Sequence, residues 1–411
     1  MKTHIRRSIA TAAVAFVALA GLTACGGSEP DSGGSAGGSG TLEVWDYEGQ
    51  GVSNDAMNAA VAEFEKQNPD IKIKRTSFAF GDLSKSIVQG GVGGSVPDVA
   101  VIDTVDNQNF AALGLLLDIS EQTKGQKDEF YEGPWNSTQL DGKTYGLPMN
   151  SNNLALFYNK TMLEEAGVTP PKTWDELKEG AKKLTSGDHV GLAVSGVKNE
   201  QGTFQILPFV WQTGGDVQEY SKSGAEALTF LKEMIDEGSM SSAVANYSQE
   251  DVRTQFTTSK TAMMVNGPWE IQNLADVDFE WGVAPLPQGK VAATGLGGEN
   301  IVAFQESKNP EAATKFVKFM ASKEGAKIFC DVSGQLSSRP DLQGQLKLSE
   351  DENLKVFEKQ LEVAHARAYG GEYAKISEAI QLSIQEALTG SQTPDEAAKK
   401  AESTIKPLLG K

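Results

Sequence analysis

The sequence predicts an α/β protein built on an open, largely parallel sheet, and three features carry that expectation. Short strand-patterned or wholly apolar runs alternate with helical patterns from residue 41 onward. Capping residues and glycine or proline stops bound those helices. The chain has 411 residues, enough for about two or three domain-sized units with a sizeable core.

Taken in order, Leu42 and Val44 alternate in 41–45, a strand pattern. Ser53 or Asn54 can cap a helix whose Met57, Ala60, Val61 and Phe64 share one face. Asn68-Pro69-Asp70 stops it before a strand at 71–74. A glycine-rich loop at 90–94 precedes 99–102, apolar throughout, as a strand buried on both faces requires. A helix over 106–113 ends at Gly114.

The middle of the chain repeats the rhythm, with strands at 154–157, 190–194 and 262–265. Helices cover 162–166, 174–184, 204–213 and 225–237, and Thr173 with Glu176 forms a capping box for the second of them. Pro310 opens a helix carrying Ala312, Phe316, Phe319 and Met320, and the chain beyond 350 reads as almost wholly helical. Open α/β sheets bind ligands beyond the carboxyl ends of their strands, which directs attention to 46–48, 78–82 and 103–106.

Composition removes several function classes. With 37 Lys+Arg against 55 Asp+Glu, the formal charge is −18, the wrong sign for a nucleic-acid partner. Three histidines leave little material for a His-dependent triad or a metal centre, and two cysteines cannot frame a disulfide scaffold. The chain after the Gly/Ser stretch contains no G-x-S-x-G, and no H-E-x-x-H or P-loop occurs anywhere. No His-dependent catalytic residue, metal site or cofactor is therefore expected, while a carboxylate-only glycosidase stays open.

Residues 1–24 read as an export signal: Lys2, Arg6 and Arg7 precede an apolar run too short to span a bilayer comfortably. Arg6-Arg7 lacks the wider twin-arginine motif, so Sec export is expected. Removing the signal takes the formal charge from −18 to about −21. The run ends in L-T-A-C, which resembles the lipobox of bacterial lipoproteins and implies lipidation of Cys25. Residues 25–40 would then be the anchor and a Gly/Ser tether spanning roughly 20 Å. Cys330, in a helical apolar pattern, reads as a buried core residue.

Several segments, taken in order, resemble one family. They are G-K-T-Y-G-L-P-M-N at 142–150, L-A-L-F-Y-N-K at 154–160, P-P-K-T-W-D-E-L at 170–177 and S-K-T-A-M-M-V-N-G-P-W at 259–269. G-V-A-P-L-P at 282–287, G-G-E-N at 297–300 and N-P-E-A-A-T-K-F at 309–316 complete the set. The set resembles the sugar-binding, extracellular solute-binding lipoproteins of ABC importers, the family that includes the maltose-binding protein. That resemblance implies a two-lobed, periplasmic-binding-protein-like α/β fold with a ligand cleft between the lobes and hinge segments crossing between them. Its expected division is 41–151 with 266–322 for the N-terminal lobe and 152–265 with 323–411 for the C-terminal lobe. The crossings would fall near 146–153, near 265–268 and after 321. The implied partners are a carbohydrate and the transmembrane subunits of an ABC permease. The protein would be a monomer, lipid-anchored to the outer face of the cell membrane.

Sugars present apolar C–H faces and a belt of hydroxyls, so a site for them needs aromatic platforms with carboxylate and amide hydrogen-bonders. The candidates are Asp46, Tyr47 and Glu48 after the first strand, Asp103 after the third, and Asn152 and Asn153 at the first crossing. Trp211 near the end of its helix, Tyr247 in a polar stretch and Trp269 after Asn266-Gly267-Pro268 supply rings. Glu299 follows two glycines that would let the backbone approach a ligand, and Arg367 with Tyr369 precedes another glycine pair. Trp45, Trp135 and Trp174 are expected to pack. Two other readings use similar residues: a secreted glycosidase working with two carboxylates, and a binding protein for a cationic solute such as a polyamine.

Overall fold

A computed structural model describes residues 39–409, so the signal, Cys25 and all but the last residues of the tether lie outside the described residues. Two sheets organise the body. The first has the strand order Ile71–Ser77, Gly40–Asp46, Val99–Asp103, Glu299–Ala303, Leu147–Pro148. Its first three strands are parallel and its last two pairings are antiparallel. The second has the order Trp281–Ala284, Ala155–Asn159, Thr261–Asn266, Val190–Ala193.

Each sheet has its own core, which is why the body has two lobes. Every residue of Val99–Asp103 is buried, as an apolar run covered on both faces must be. Leu42, Val44, Val99, Val101 and Ile301 face Phe64 and Phe316 on one side, while Ala100, Ile102 and Val302 face Leu83, Ile87 and Phe110 on the other. The second lobe buries Leu154, Leu156, Leu192 and Met263 against helices that include Glu200–Gln212, Tyr220–Asp236 and Tyr373–Leu388. Cys330 is buried in the first core.

The expected helix starts and stops differ in informative ways. The first helix, Gly51–Gln67, begins before Ser53, with Gln50 at its N-cap and no side-chain cap; Asn54 lies inside it and accepts a hydrogen bond from Arg75. Helix Phe80–Gly93 runs through the glycines expected to be a loop and ends at Gly94 in the left-handed region. Thr173 caps Trp174–Leu184 through the Glu176 amide, but Glu176 accepts from the Lys172 amide, so the reciprocal half of the box is displaced by one residue. The tail beyond 350 is interrupted by the strand Ala364–Ala366, which pairs with Thr294–Leu296.

Three segments meet side by side between the lobes. Ser151 pairs with Leu336, and Asn152 pairs with Gly297. Ser151 and Asn152 lie within the segment 146–153. The second crossing is at Gly297, not at 265–268, because Thr261–Asn266 and Trp281–Ala284 both belong to the second sheet. Leu336 touches the first crossing, but the chain then returns to the first lobe, where Arg339 bonds Glu129 and Leu342 and Leu346 join the first core; the third passage follows Leu346, so Lys323–Ser333 stays in the first lobe. There it packs on Gly51–Gln67, with Phe329 and Cys330 in the first core. The expected divisions at 266 and 323 are therefore displaced along the chain to these crossings.

Candidate ligand cleft

Between the lobes lies a cleft of about 690 Å³. In the first lobe it is lined from one sheet edge. Tyr47, Glu48, Phe78, Phe80 and Asp103 follow or end parallel strands, and Glu299 begins the antiparallel strand whose register sets it opposite Asp103. The second lobe contributes Gln201 and Phe204 from the start of Glu200–Gln212, Arg253 from Gln249–Thr257, and Trp269, Glu270 and Asn273 beyond Thr261–Asn266. Both sets obey the rule that ligand sites gather at strand ends.

The floor is a hydrogen-bonded row built from all three segments that meet there. Asn152 Nδ2 donates to Gln335 Oε1 at 2.9 Å, Gln335 Nε2 donates to Glu299 Oε2 at 3.4 Å, and Tyr47 Oη donates to Glu299 Oε1 at 3.1 Å. Tyr47 meets the Phe80 ring edge-on, with centroids 4.8 Å apart. Burial, then the Glu299 charge, pushes the Glu48 carboxyl well above the ordinary carboxylate range. Burial likewise raises Glu299, which sits in the field of Asp103. The Glu270 carboxyl, bonded to Arg253, Asn266 and Asn273, is pushed up to about 7 by burial.

At one end the lobes are joined by charge. Arg367 Nη2 donates to Asp103 Oδ1 at 3.0 Å, and Arg367 Nη1 is bonded to Glu200. The guanidinium carbon lies 4.4 Å from the centre of the Phe204 ring. Beside it, burial and the Asp103 charge push the Asp106 carboxyl up to about 8.

A cleft between two α/β lobes, with three crossings and polar groups at strand ends, is an arrangement for enclosing a small solute. The family model for bacterial extracellular solute-binding proteins matches residues 50–327, more than half of the chain. The chain belongs to that family. This solute-binding protein is 25% identical over 424 residues to a maltodextrin-binding protein of Bacillus subtilis, covering 98% of this chain and 97% of that one. Among solved structures, the GacH receptor of Streptomyces glaucescens, described unliganded and with acarbose, superposes with a TM-score of 0.82 at 28% identity. That match covers 90% of this chain and 98% of the receptor. A solute-binding protein of Thermotoga lettingae bound to α-D-tagatose also gives 0.82 at 28% identity, over 90% of this chain and all of that one. The fold is the two-lobed fold of these ABC-transporter proteins, and the family works outside the cytoplasm.

Of the residues singled out from sequence, Tyr47, Glu48, Asp103, Asn152, Trp269, Glu299 and Arg367 line the cleft. Four others do not. Asp46 is fully buried behind it, accepting from Arg75 Nε at 2.8 Å, Ser77 Oγ at 2.6 Å and the Glu48 amide at 3.0 Å, so it fixes the loop that presents Glu48. Asn153 turns away and donates to the Phe357 carbonyl. Trp211 is a core residue of the second lobe, stacked 5.1 Å from His365 and donating to Asp216. Tyr369 joins that bond network through its hydroxyl, behind the cleft wall. Tyr247 is half-buried between two apolar clusters, where packing replaces the exposure its polar neighbours suggested.

Gly297 and Gly298 also serve a different purpose from the expected one. A Cβ on Gly297 would lie 2.2 Å from Asn152 Oδ1, and one on Gly298 would lie 2.5 Å from the Asn150 carbonyl. The glycines let the crossing segments touch each other. Sequence reasoning missed Phe204, Arg253, Glu270 and Gln335. Glu270 follows a strand of the second lobe, so the strand-end rule applied there would have found it, whereas Phe204 and Arg253 lie within helices and Gln335 carries no local signal.

Proposed function

We propose that this protein binds an oligosaccharide in the interlobe cleft and delivers it to the membrane subunits of an ABC importer. The observation that supports this best is the lining of the cleft: the rings of Tyr47, Phe80 and Trp269 together with the carboxylates of Glu48 and Glu299. Rings suit the C–H faces of pyranoses, and carboxylates and amides suit their hydroxyls. The volume of about 690 Å³ favours more than one sugar unit over a monosaccharide. The maltodextrin-binding relative and the acarbose complex make an α-linked gluco-oligosaccharide the first ligand to test. The L-T-A-C motif supports a lipid anchor at Cys25, with the body working as a monomer on the outer face of the membrane.

The protein acts here as a carrier, not a hydrolase. Glu48 and Glu299 are the pair a glycosidase reading would invoke, yet both come from the first-lobe sheet, on one side of the cleft. A glycosidase needs its two carboxyls flanking the scissile bond. Calorimetric titration with maltotriose, D-tagatose and spermidine tests the proposal. Heat with maltotriose supports it, heat with tagatose alone shortens the ligand to a monosaccharide, and heat with spermidine alone refutes the sugar reading. Release of new reducing ends during prolonged incubation with maltotriose would refute the carrier role.

A further inference from the structure

We propose that Arg367 is a reversible clasp between the lobes, a positioning residue for closure rather than a contact to ligand. The inference rests on the reading of the cleft as a site that opens and closes. Arg367 follows the strand Ala364–Ala366, which pairs with Thr294–Leu296, and that strand packs on Glu200–Gln212 of the second lobe. Its guanidinium is assembled within that lobe: Glu200 accepts from it, and the Phe204 face lies 4.4 Å beneath it. Glu200 is held in turn by the hydroxyls of Tyr373 and Ser377. From the first lobe the guanidinium is hydrogen-bonded by Asp103, at the end of the central strand, with Asp106 close by; Asp103 Oδ1 also accepts from the Val105 amide at 3.2 Å. Asp103 receives Nη2 at 3.0 Å and Nη1 at 3.4 Å.

This asymmetry makes the contact a latch. Breaking a buried ion pair is costly when it strands an unpaired charge. Opening the lobes separates Arg367 from Asp103 but leaves Arg367 on Glu200 and Phe204, while Asp103 gains water. The arginine is therefore never orphaned, and the contact can form and break with lobe motion. Arg367 also has little left for a ligand. Its Nη atoms are engaged by the two carboxylates, and Nε is buried.

The test uses the mature body with dyes at Val92→Cys in the first lobe and Lys399→Cys in the second, both exposed positions. Single-molecule energy transfer then reports the open and closed populations. Without ligand, Asp103→Asn should lower the closed-to-open ratio about fivefold. The apparent Kd for maltotriose should rise by a similar factor, since a less populated closed state weakens binding in proportion. Arg367→Lys should do the same, and the double variant should do no more than either single one. Weaker maltotriose binding with unchanged lobe populations would overturn the clasp and make Asp103 a ligand contact. Unchanged populations and unchanged binding would overturn it as well. If maltotriose fails to bind the unmodified protein, the sugar reading fails, while the ligand-free populations still decide the clasp.

Discussion

Trp269 and Trp211 show how one residue type takes opposite roles according to what surrounds it. Trp269 sits partly exposed on the cleft wall, its indole laid over Gly267, where a Cβ would come within 2.1 Å of the ring. Trp211 lies in the second core with its Nε1 bonded to Asp216. Trp269→Ala should weaken maltotriose binding by about 2 kcal/mol, roughly 30-fold. Trp211→Ala should instead lower unfolding stability by about 3–5 kcal/mol through loss of core packing. Calorimetry and urea unfolding separate the two, and an affinity loss confined to Trp211→Ala would reverse the assignment. Sequence could name both as aromatic candidates, but burial depends on neighbours distant along the chain. Arg367 is the extreme case: its partners lie 264 and 167 positions away, and no local pattern announces them.

At the scale of elements, strands with uniform or alternating apolar patterns were legible, and strands with polar openings were not. The 99–102 run announced a buried central strand, whereas Glu299–Ala303 begins with Glu299 and Asn300 and carries no such signal. The crossing expected at 265–268 was implied by the family resemblance, and without a legible strand at 299–303 nothing local marks Gly297 in its place. The seven cleft-lining residues foreseen lie largely at ends of legible strands or at the first crossing, and those overlooked in the second lobe begin helices or follow Trp269. The crossings themselves are held by a steric condition. Gly298 has φ of 139°, and an added Cβ would meet backbone atoms of Asn150 and Ser151 that cannot swing aside. Gly298→Ala should cost about 1–3 kcal/mol of stability and change maltotriose affinity with it, because the strain falls on the crossings. Gly142 has φ of 75° but open space around the added Cβ. Gly142→Ala should cost about 1–2 kcal/mol and leave affinity unchanged. Equal affinity for both variants, measured by calorimetry, would contradict a role for the crossings in binding.

Across the whole molecule, burying carboxyls around an interlobe cleft sets a pH dependence of definite sign. Glu270 at about 7 and Asp106 at about 8 hold protons in the folded state that the unfolded chain releases near pH 4. Glu48 and Glu299 are raised in the same direction. The native state therefore binds more protons between about pH 4 and 8, so stability falls as pH rises through that window and levels off above it. Glu270 alone accounts for a change on the order of 3 kcal/mol. Asp118 and Asp341, lowered by Ser120 and Arg339 respectively, contribute stability that is lost only below the ordinary carboxylate range. Urea unfolding at pH 5 and pH 8 should thus give the higher stability at pH 5, and a rise from 5 to 8 would show that these carboxyls are not buried as described.

The two-lobed arrangement has meaning only if the lobes respond to what the cleft holds. Small-angle scattering of the mature protein, alone and with saturating maltotriose, measures that response directly. The account requires a smaller radius of gyration with the sugar present, as the lobes swing together about the crossings, Asn152 and Gly297 among them. An unchanged radius at a maltotriose concentration shown by calorimetry to saturate the protein would contradict it.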